Sequence, residues 1–462
     1  MNDLLRDVAH RASQYLASVP DRSVVPRLED LERLAMLGGS VPDAPTSPSE
    51  VLRLLDEIGS PATVTSTGGR YFGFVTGGTL PAALAANWLA GTWDQNAAFS
   101  VMSPVAAAVE EIALGWLREL LGLPLSCGAG FVTGATTANF ACLAAARGAL
   151  LQRAGWDVEN QGLFAAPTLK VIVGGEVHVA LLKALSMLGL GKARVATVPA
   201  DDQGRMRTDS LPVLDERTIV CIQAGNVNSG AFDPAEEICS RARDRGAWVH
   251  VDGAFGLWAA VANERAYLMR GFSEADSWAT DCHKWLNVPY DSGIAFVRQA
   301  EDLRNAMSLS ASYLQIGTAR EASHYTPESS RRARGVEIWA ALKSLGRSGL
   351  AEMIERNCRL ATRFANGLSA AGYEVQNHVV LNQVLVSFGD SELNKKIVAE
   401  VQRDGTCWCG GTEWQGNFVM RISVSCWATT DKDVDRSIAA MVRIAKAAQR
   451  NVSASDRKLK PI

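Results

Sequence analysis

Short runs of β-branched and apolar residues alternate with helix-like segments in the middle of the chain, and this alternation constrains the fold more than any other feature. The runs cover residues 170–173, 194–198, 219–222 and 247–251. Nearly continuous apolar strands separated by helices are typical of a parallel sheet that is covered on both faces. We therefore expect an α/β fold whose functional loops lie at the carboxyl ends of the strands.

Polar residues follow three of these strands. Glu176 and His178 come after the first strand, Asn226 comes after the third, and Asp252 directly ends the fourth. A carboxylate at the end of a buried strand needs a partner, because an unpaired charge is costly to bury. A pyridinium nitrogen is one candidate partner for Asp252.

Residues 281–285, which include His283 and Lys284, follow the run Ala-Asp-Ser-Trp-Ala-Thr at 275–280, which we interpret as a short buried strand. A lysine amine is a poor nucleophile while it is protonated. It becomes useful when its surroundings lower its pKa or when a carbonyl compound captures it. We interpret Lys284 as the amine that holds an aldehyde cofactor as a Schiff base. Because the segment alone is a weak motif, a lysine with no catalytic role is the alternative.

A segment rich in glycine and threonine, residues 128–139, leads into a helix-like stretch that reaches about Arg147. We interpret the segment as a tight loop that opens the helix. The free N–H groups of a helix N-terminus, together with threonine hydroxyls, suit a phosphate group. An ordinary capped helix is an equal alternative.

The composition is typical of a globular protein and excludes several classes of function. The chain has 462 residues, and single hydrophobic cores stop growing near roughly 250–300 residues, so we expect more than one domain.

A net charge of −3 gives no general attraction to nucleic acid or to an anionic membrane. We find no apolar run that is long enough to span a membrane. The N-terminus lacks the apolar stretch of a secretion signal, so we expect a cytoplasmic protein.

Nine cysteines are scattered through the chain. Cys407 and Cys409 have no second pair at zinc-finger spacing. We therefore expect reduced cysteines and no metal site.

The chain divides into three predicted parts. Residues 1–85 form a helical N-terminal arm, residues 86–345 a large cofactor-binding domain, and residues 346–462 a small C-terminal α+β domain. Antiparallel strands are expected in the small domain at 384–388 and 418–424. The N-terminal arm is too apolar to be buried by itself, which indicates packing on a second subunit.

In order and spacing these motifs resemble those of the pyridoxal-phosphate-dependent group II amino-acid decarboxylases, the family of the aromatic-L-amino-acid, histidine and glutamate decarboxylases. The resemblance extends from Tyr71 to Arg421. It implies a fold-type I pyridoxal-phosphate enzyme with a mostly parallel seven-stranded sheet in the large domain. It also implies a homodimer with active sites at the subunit interface.

The resemblance implies roles for individual residues. Lys284 matches the Schiff-base lysine, and His178 matches the histidine that stacks on the cofactor ring. Asp252 matches the aspartate that pairs with the pyridine nitrogen, and this pairing keeps the ring protonated so that it can accept electrons. The other implied cofactor contacts are Ala254 against the ring, Ala135, Thr136 and Thr137 at the phosphate, His283 as a further phosphate contact, and Asn226 near the ring hydroxyl.

The implied reaction converts an L-amino acid with an aromatic or other non-acidic side chain to the amine and CO2, through an external aldimine and a quinonoid. Lys284, Tyr313 and His178 are the implied catalytic residues. Tyr313 matches the mobile-loop tyrosine that protonates Cα after CO2 leaves; members without it tend to form aldehydes, so simple decarboxylation is predicted. The residues expected in the substrate pocket are Phe74, Val75, Thr76, Trp93, Asn96 and Ala98, the latter group as a candidate contribution of the partner subunit. Because these residues are not cationic, a glutamate-type side chain is disfavoured.

Other functions on the same fold and cofactor stay open at this point. They are an aldehyde synthase, a carbon–carbon lyase, an aminotransferase and a non-enzymatic binding module. Arg332 and Arg421 are candidate anion partners, although such arginines more often have a structural role.

Two residues depart from the pattern of the family. Asp281 stands where the family often has an asparagine, and Val227 takes the place of a threonine. A carboxylate that faces a phosphate is repelled by it, so we expect Asp281 to turn elsewhere. Both departures bear on the identity of the substrate more than on the chemistry.

Overall fold

A computed structural model describes residues 1–308 and 320–458 of the chain. The helices are α1 (Asn2–Ser18), α2 (Leu28–Arg33), α3 (Pro48–Gly59), α4 (Pro81–Trp93), α5 (Pro104–Leu120), α6 (Ala135–Arg153), α7 (Val158–Gln161), α8 (Val179–Met187), α9 (Ala235–Arg243), α10 (Ala300–Met307), α11 (Gly335–Ala370), α12 (Ser391–Asp404) and α13 (Asp431–Lys458). The strands are β1 (Gly128–Val132), β2 (Lys170–Gly174), β3 (Ala196–Val198), β4 (Thr218–Gln223), β5 (Trp248–Asp252), β6 (Ser277–Asp281), β7 (Gly293–Val297), β8 (Glu374–Val375), β9 (Gln383–Ser387), β10 (Gly410–Trp414) and β11 (Asn417–Ser423).

The central sheet has seven strands in the order β1-β7-β6-β5-β4-β2-β3. Strands β2 to β6 run parallel, and β7 is antiparallel to both of its neighbours. The predicted mostly parallel seven-stranded sheet is therefore confirmed. The four runs that suggested it correspond to β2, β3, β4 and β5.

The sheet is covered on both faces, because alternate residues of a strand point in opposite directions. In β4, Ile219 and Cys221 pack into a core with α6, α8 and α10. Val220 and Ile222 pack into a second core with α5, α9 and the first part of α11. Both cores leave the carboxyl ends of the parallel strands free to carry loops.

Residues 128–132 correct the sequence interpretation, which made them part of a loop. They are fully buried and form β1, which pairs with β7 from Gly128↔Val297 to Val132↔Gly293. The glycines serve close packing here: a Cβ on Gly130 would lie 2.4 Å from the carbonyl oxygen of Tyr325. The turn before α6 is therefore limited to Thr133 and Gly134.

A smaller sheet near the C-terminus has the order β10-β11-β9-β8 and is antiparallel throughout. It packs with α12, α13 and the second part of α11 around a separate core. The predicted antiparallel strands correspond to β9 and β11. Helix α11 is interrupted at Gly346 (φ 61°, ψ −178°), next to the predicted boundary at residue 345, although the three domain limits themselves stay a prediction.

Within the part of the chain that the structure describes, no helix combines the length and the apolar character needed to cross a membrane.

Candidate active site

A cavity of about 320 Å³ lies at the carboxyl ends of the parallel strands. The turn before α6, the start of α8, and the loops after β4, β5 and β6 form its walls. Eight of the nine predicted cofactor contacts line it: Ala135, Thr136, Thr137, His178, Asp252, Ala254, His283 and Lys284. The topology brings these residues together, since the carboxyl ends of parallel strands meet at one edge of a sheet.

Lys284 lies on the short segment that follows β6. Its Nζ is 3.0 Å from Oδ2 of Asp281, and its side chain is 18% exposed, so the amine remains accessible from the cavity. Gly77 packs against the backbone of this segment. A Cβ on Gly77 would lie 1.9 Å from the carbonyl oxygen of Lys284, so a side chain there would displace the lysine.

Asp281 also lines the cavity, which corrects the expectation that it turns elsewhere. Its Oδ1 accepts a hydrogen bond of 2.6 Å from the N–H of Ala135, at the start of α6. The first N–H groups of a helix have no partner within the helix, and Gly134 at the N-cap position has no side chain to supply one. The carboxylate of Asp281 fills this role, and the positive end of the helix dipole favours it.

The two histidines of the cavity are held by backbone N–H groups. Nδ1 of His178 accepts a bond of 3.2 Å from Ala180, and Nδ1 of His283 accepts one of 3.2 Å from Ser292. Burial lowers the pKa of both imidazoles below the usual value. The nearby carboxylates, Asp252 for His178 and Asp281 for His283, act in the opposite direction and raise the pKa, but burial is the larger effect. Both rings are therefore mainly neutral at pH 7.

Asp252 is the last residue of β5, and it is 6% exposed. One carboxylate oxygen accepts a bond of 3.2 Å from Nδ2 of Asn139, and the other accepts one of 3.3 Å from the N–H of Ala254. The hydrogen bond from Nδ2 of Asn139 thus fixes the carboxylate of Asp252, which lines the cavity. Sequence reasoning missed Asn139, and it also missed His250, which contacts Asn139.

A signal for both residues was present in the sequence. His250 precedes Asp252 by two residues in one strand, and residues at this spacing share a face of a sheet. Asn139 is a polar residue within the alanine-rich segment of α6 that packs on this face.

Asn226 is the one predicted cofactor contact that does not line the cavity, and this is a correction. Its neighbours Gly225 and Val227 do line it. The Oδ1 atom of Asn226 instead accepts bonds from the N–H groups of Asn228 (2.9 Å) and Ser229 (3.2 Å). The side chain is used to close its own turn.

The predicted substrate residues do not line the cavity in the single chain. Val75 and Thr76 are buried, Val75 in the main core, and Phe74 is 64% exposed and packs on Trp408. In the second group Trp93 is exposed and Ala98 is buried, and the Oδ1 atom of Asn96 accepts bonds from the N–H groups of Ala98 and Arg331.

A contribution of Trp93, Asn96 and Ala98 across a subunit interface stays a prediction. Tyr313 lies outside the described residues, so its role also stays a prediction.

The donor set of the cavity fits pyridoxal 5′-phosphate. The amine of Lys284 suits an aldehyde, the carboxylate of Asp252 suits a pyridinium nitrogen, and the N-terminus of α6 with its threonines suits a phosphate. The fold and the cavity together define a fold-type I pyridoxal-phosphate enzyme.

Comparison with known proteins identifies the family. Residues 33–389 match the model of the pyridoxal-dependent decarboxylase conserved domain, which is more than half of the chain. The chain therefore belongs to the pyridoxal-dependent decarboxylase family. It is an enzyme that uses pyridoxal phosphate to decarboxylate an amino acid.

A curated relative agrees with this assignment, and solved structures share the fold. The chain is 26% identical over 417 residues to the aromatic-L-amino-acid decarboxylase of Bacillus atrophaeus, covering 85% of this chain and 85% of that protein. It resembles the structure of Oryza sativa TDC with PLP and tryptamine with a TM-score of 0.88 at 22% identity, over 96% of this chain and 97% of that chain. It resembles Rhodiola rosea 4-hydroxyphenylacetaldehyde synthase with a TM-score of 0.83 at 20% identity, over 96% and 97% respectively.

Proposed function

We propose that Lys284 holds pyridoxal phosphate and that the enzyme converts an L-amino acid with an aromatic or other non-acidic side chain to the amine and CO2. One observation carries the proposal: Lys284, Asp252, His178 and the N-terminus of α6 all line a single cavity. Each group matches a different part of one cofactor, and a structural role for the lysine does not account for this combination.

The cofactor is proposed to bind with its phosphate at α6 and its ring between His178 and Ala254. The N–H group of Ala135 already bonds Asp281, so the following N–H groups and the hydroxyl of Thr136 are the proposed phosphate donors. The hydroxyl of Thr137 lies 2.7 Å from that of Thr133 and orders the turn. Asp252 is proposed to bond the ring nitrogen, because an acceptor at this position keeps that nitrogen protonated.

When bound, the protonated pyridine ring supplies an acceptor for the electron pair that the departing carboxyl group leaves on Cα. The protein residues bind, orient and move protons around it. Lys284 has its carboxylate neighbour Asp281 at 3.0 Å, which positions the amine. A neutral His178 offers an uncharged ring face, and Tyr313 is the proposed donor of the proton to Cα.

The charge of the cavity supports a non-acidic substrate side chain. Among the described residues that line it, Lys284 is the sole lysine or arginine.

Of the two candidate anion partners, Arg332 already pairs with Glu337 at 3.1 Å. Arg421 bonds the neutral amide oxygen of Asn228 at 3.2 Å and is close enough to His178 to lower its pKa. We therefore propose Arg421 as the partner of the substrate carboxylate.

An aldehyde synthase is the second candidate. The chain shares its fold with 4-hydroxyphenylacetaldehyde synthase, which supports this candidate. The structure of TDC has the same fold, so the fold alone does not distinguish the two reactions. Tyr313 supports simple decarboxylation instead.

A screen of the twenty standard L-amino acids, with diaminobutyrate and dihydroxyphenylalanine added, tests the function. The holoenzyme is expected to release CO2 from an aromatic or other non-acidic substrate with an equal amount of amine. Formation of an aldehyde with hydrogen peroxide would identify the synthase. CO2 release from glutamate or aspartate alone would overturn the assigned substrate class.

A cytoplasmic homodimer is part of the proposal. Large apolar side chains are exposed along the N-terminal helices, among them Leu5, Leu16, Leu55, Trp88 and Leu89. A groove of about 620 Å³ between α1, α3 and α4 adds to this apolar surface. Exposed apolar surface of this extent supports a protein interface, and a second copy of the chain is the proposed partner.

A further inference from the structure

A line of buried polar side chains extends from Asp252 into the sheet. Nδ2 of Asn139 is 3.2 Å from Oδ2 of Asp252, and Oδ1 of Asn139 is 2.9 Å from Nε2 of His250. Nδ1 of His250 is 2.9 Å from Oγ of Ser277, which accepts a bond of 2.9 Å from the indole of Trp248. The four residues behind Asp252 are at most 2% exposed, and the proposed function gives them no role.

The chemistry of the groups fixes the direction of each bond. An indole N–H can only donate and an ionised carboxylate can only accept. Ser277 therefore accepts from Trp248 and donates its own proton to Nδ1 of His250. Asn139 must donate to Asp252, so its oxygen faces His250, and Nε2 of His250 carries the ring proton.

A single neutral tautomer of His250 satisfies both of its neighbours. Burial agrees with this state, since it lowers the pKa of His250 to about 3. Each donor in the line then points towards Asp252. Hydrogen bonds in series polarise one another in a low-dielectric interior, and a donor to a carboxylate favours its charged form.

We propose that Asn139 and His250 are positioning residues that hold the carboxylate of Asp252 in line for the ring nitrogen of pyridoxal phosphate. This inference rests on the proposed pairing of Asp252 with that nitrogen. If the line served packing alone, its loss would affect the binding of any ligand of the same shape. If it serves the charge of Asp252, its loss affects only ligands that present a ring nitrogen.

Cofactor affinity distinguishes these two roles without any measurement of turnover. Apoprotein is titrated, with absorbance as the readout, against pyridoxal phosphate and against its 1-deaza analogue, in which C–H replaces the ring nitrogen. Asn139→Leu keeps the volume and removes the donor. Asn394→Leu is the matched control, because Asn394 is a fully buried amide in the small domain.

Wild-type protein is expected to bind pyridoxal phosphate more tightly than the analogue. Asn139→Leu should weaken the binding of pyridoxal phosphate about tenfold or more, the scale of one hydrogen bond to a charged group. It should leave the affinity for the analogue within about twofold. Asn394→Leu should change neither affinity.

Ser277→Ala provides a second variant in case Asn139→Leu does not fold. It removes the donor to His250 with little change in volume, and a smaller loss of affinity, about threefold and confined to pyridoxal phosphate, is expected for one neutral hydrogen bond. Equal losses for both ligands, or no loss, would overturn the inference and leave the proposed function intact. Equal affinities in the wild-type protein would instead overturn the pairing of Asp252 with the ring nitrogen, and the inference with it.

Discussion

Asp281 is one of two cavity residues that depart from the pattern that the sequence resembles. Its carboxylate bonds the N–H of Ala135, the first donor of the turn proposed for phosphate, and it is also 3.0 Å from Lys284. A buried anion beside a phosphate site opposes a second anion, and two unit charges about 4 Å apart interact by about 4 kcal/mol at an effective dielectric constant near 20. We therefore expect Asp281 to weaken the binding of the cofactor while it positions the amine of Lys284.

Replacement of Asp281 by asparagine tests this balance. Asp281→Asn should tighten the binding of pyridoxal phosphate about tenfold, a part of that repulsion, because the amide keeps the bond to Ala135 and removes the charge. Pyridoxal, which has no phosphate, is the control ligand, and its affinity should not increase. Dissociation constants from absorbance titration provide the comparison. Weaker binding of pyridoxal phosphate to Asp281→Asn would show that the carboxylate supports the phosphate.

At the scale of elements, helix α11 has a break that its sequence explains. Gly346 has φ 61° and ψ −178°, a region of backbone conformation that is open essentially to glycine. A Cβ at this position would have no atom within 4 Å, so the surroundings do not oppose a side chain. The cost of a side chain at Gly346 is therefore purely conformational.

Two alanine substitutions three residues apart should have opposite effects on stability. Gly346→Ala is expected to lower the free energy of unfolding by about 1–3 kcal/mol, through backbone strain. Gly349→Ala, at a helical position where the Cβ makes ordinary contacts with Leu345, should raise it by up to about 1 kcal/mol. Urea unfolding of the two variants beside the wild-type protein measures both changes. Equal free energies of unfolding for the two variants would contradict the interruption of α11 at Gly346.

The elements also show where sequence reasoning succeeds. The strands β2, β4 and β5 are short apolar runs between helices, so their pattern predicts both strand and parallel pairing. Strand β1 was missed because Gly128 and Gly130 suggest a loop, and nothing local reveals that β7 and residue Tyr325 pack against them. A single sequence does not distinguish a glycine that permits close packing from a glycine that forms a turn.

At the scale of the whole molecule, the proposed dimer follows from apolar surface that one chain does not bury. Leu89→Asp places a charge on the exposed face of α4, where Leu89 is 53% exposed. We expect this variant to sediment with half the mass of the wild-type protein. Val213→Asp, at an 82% exposed position before β4, is the control and should leave the mass unchanged. An unchanged mass for Leu89→Asp would contradict an interface on α4.

The part of the site that could be predicted from the sequence consists of residues at or soon after the ends of predicted strands. Asp252 ends β5, and Lys284 and His178 lie in the segments that follow β6 and β2, so the sheet brings all three to one edge. The use of Asn226 inside its own turn and the support of Asp252 by Asn139 depend on side-chain directions that spacing does not reveal.

The central claim is that Lys284 carries the cofactor, and covalent trapping tests it most directly. Holoenzyme is reduced with sodium borohydride, digested, and mapped by mass spectrometry to locate the pyridoxyl group. The account predicts one pyridoxyl group per chain on Lys284, and its loss, with loss of CO2 release, in Lys284→Ala. A pyridoxyl group on another lysine of the wild-type enzyme, or full activity in Lys284→Ala, would contradict it.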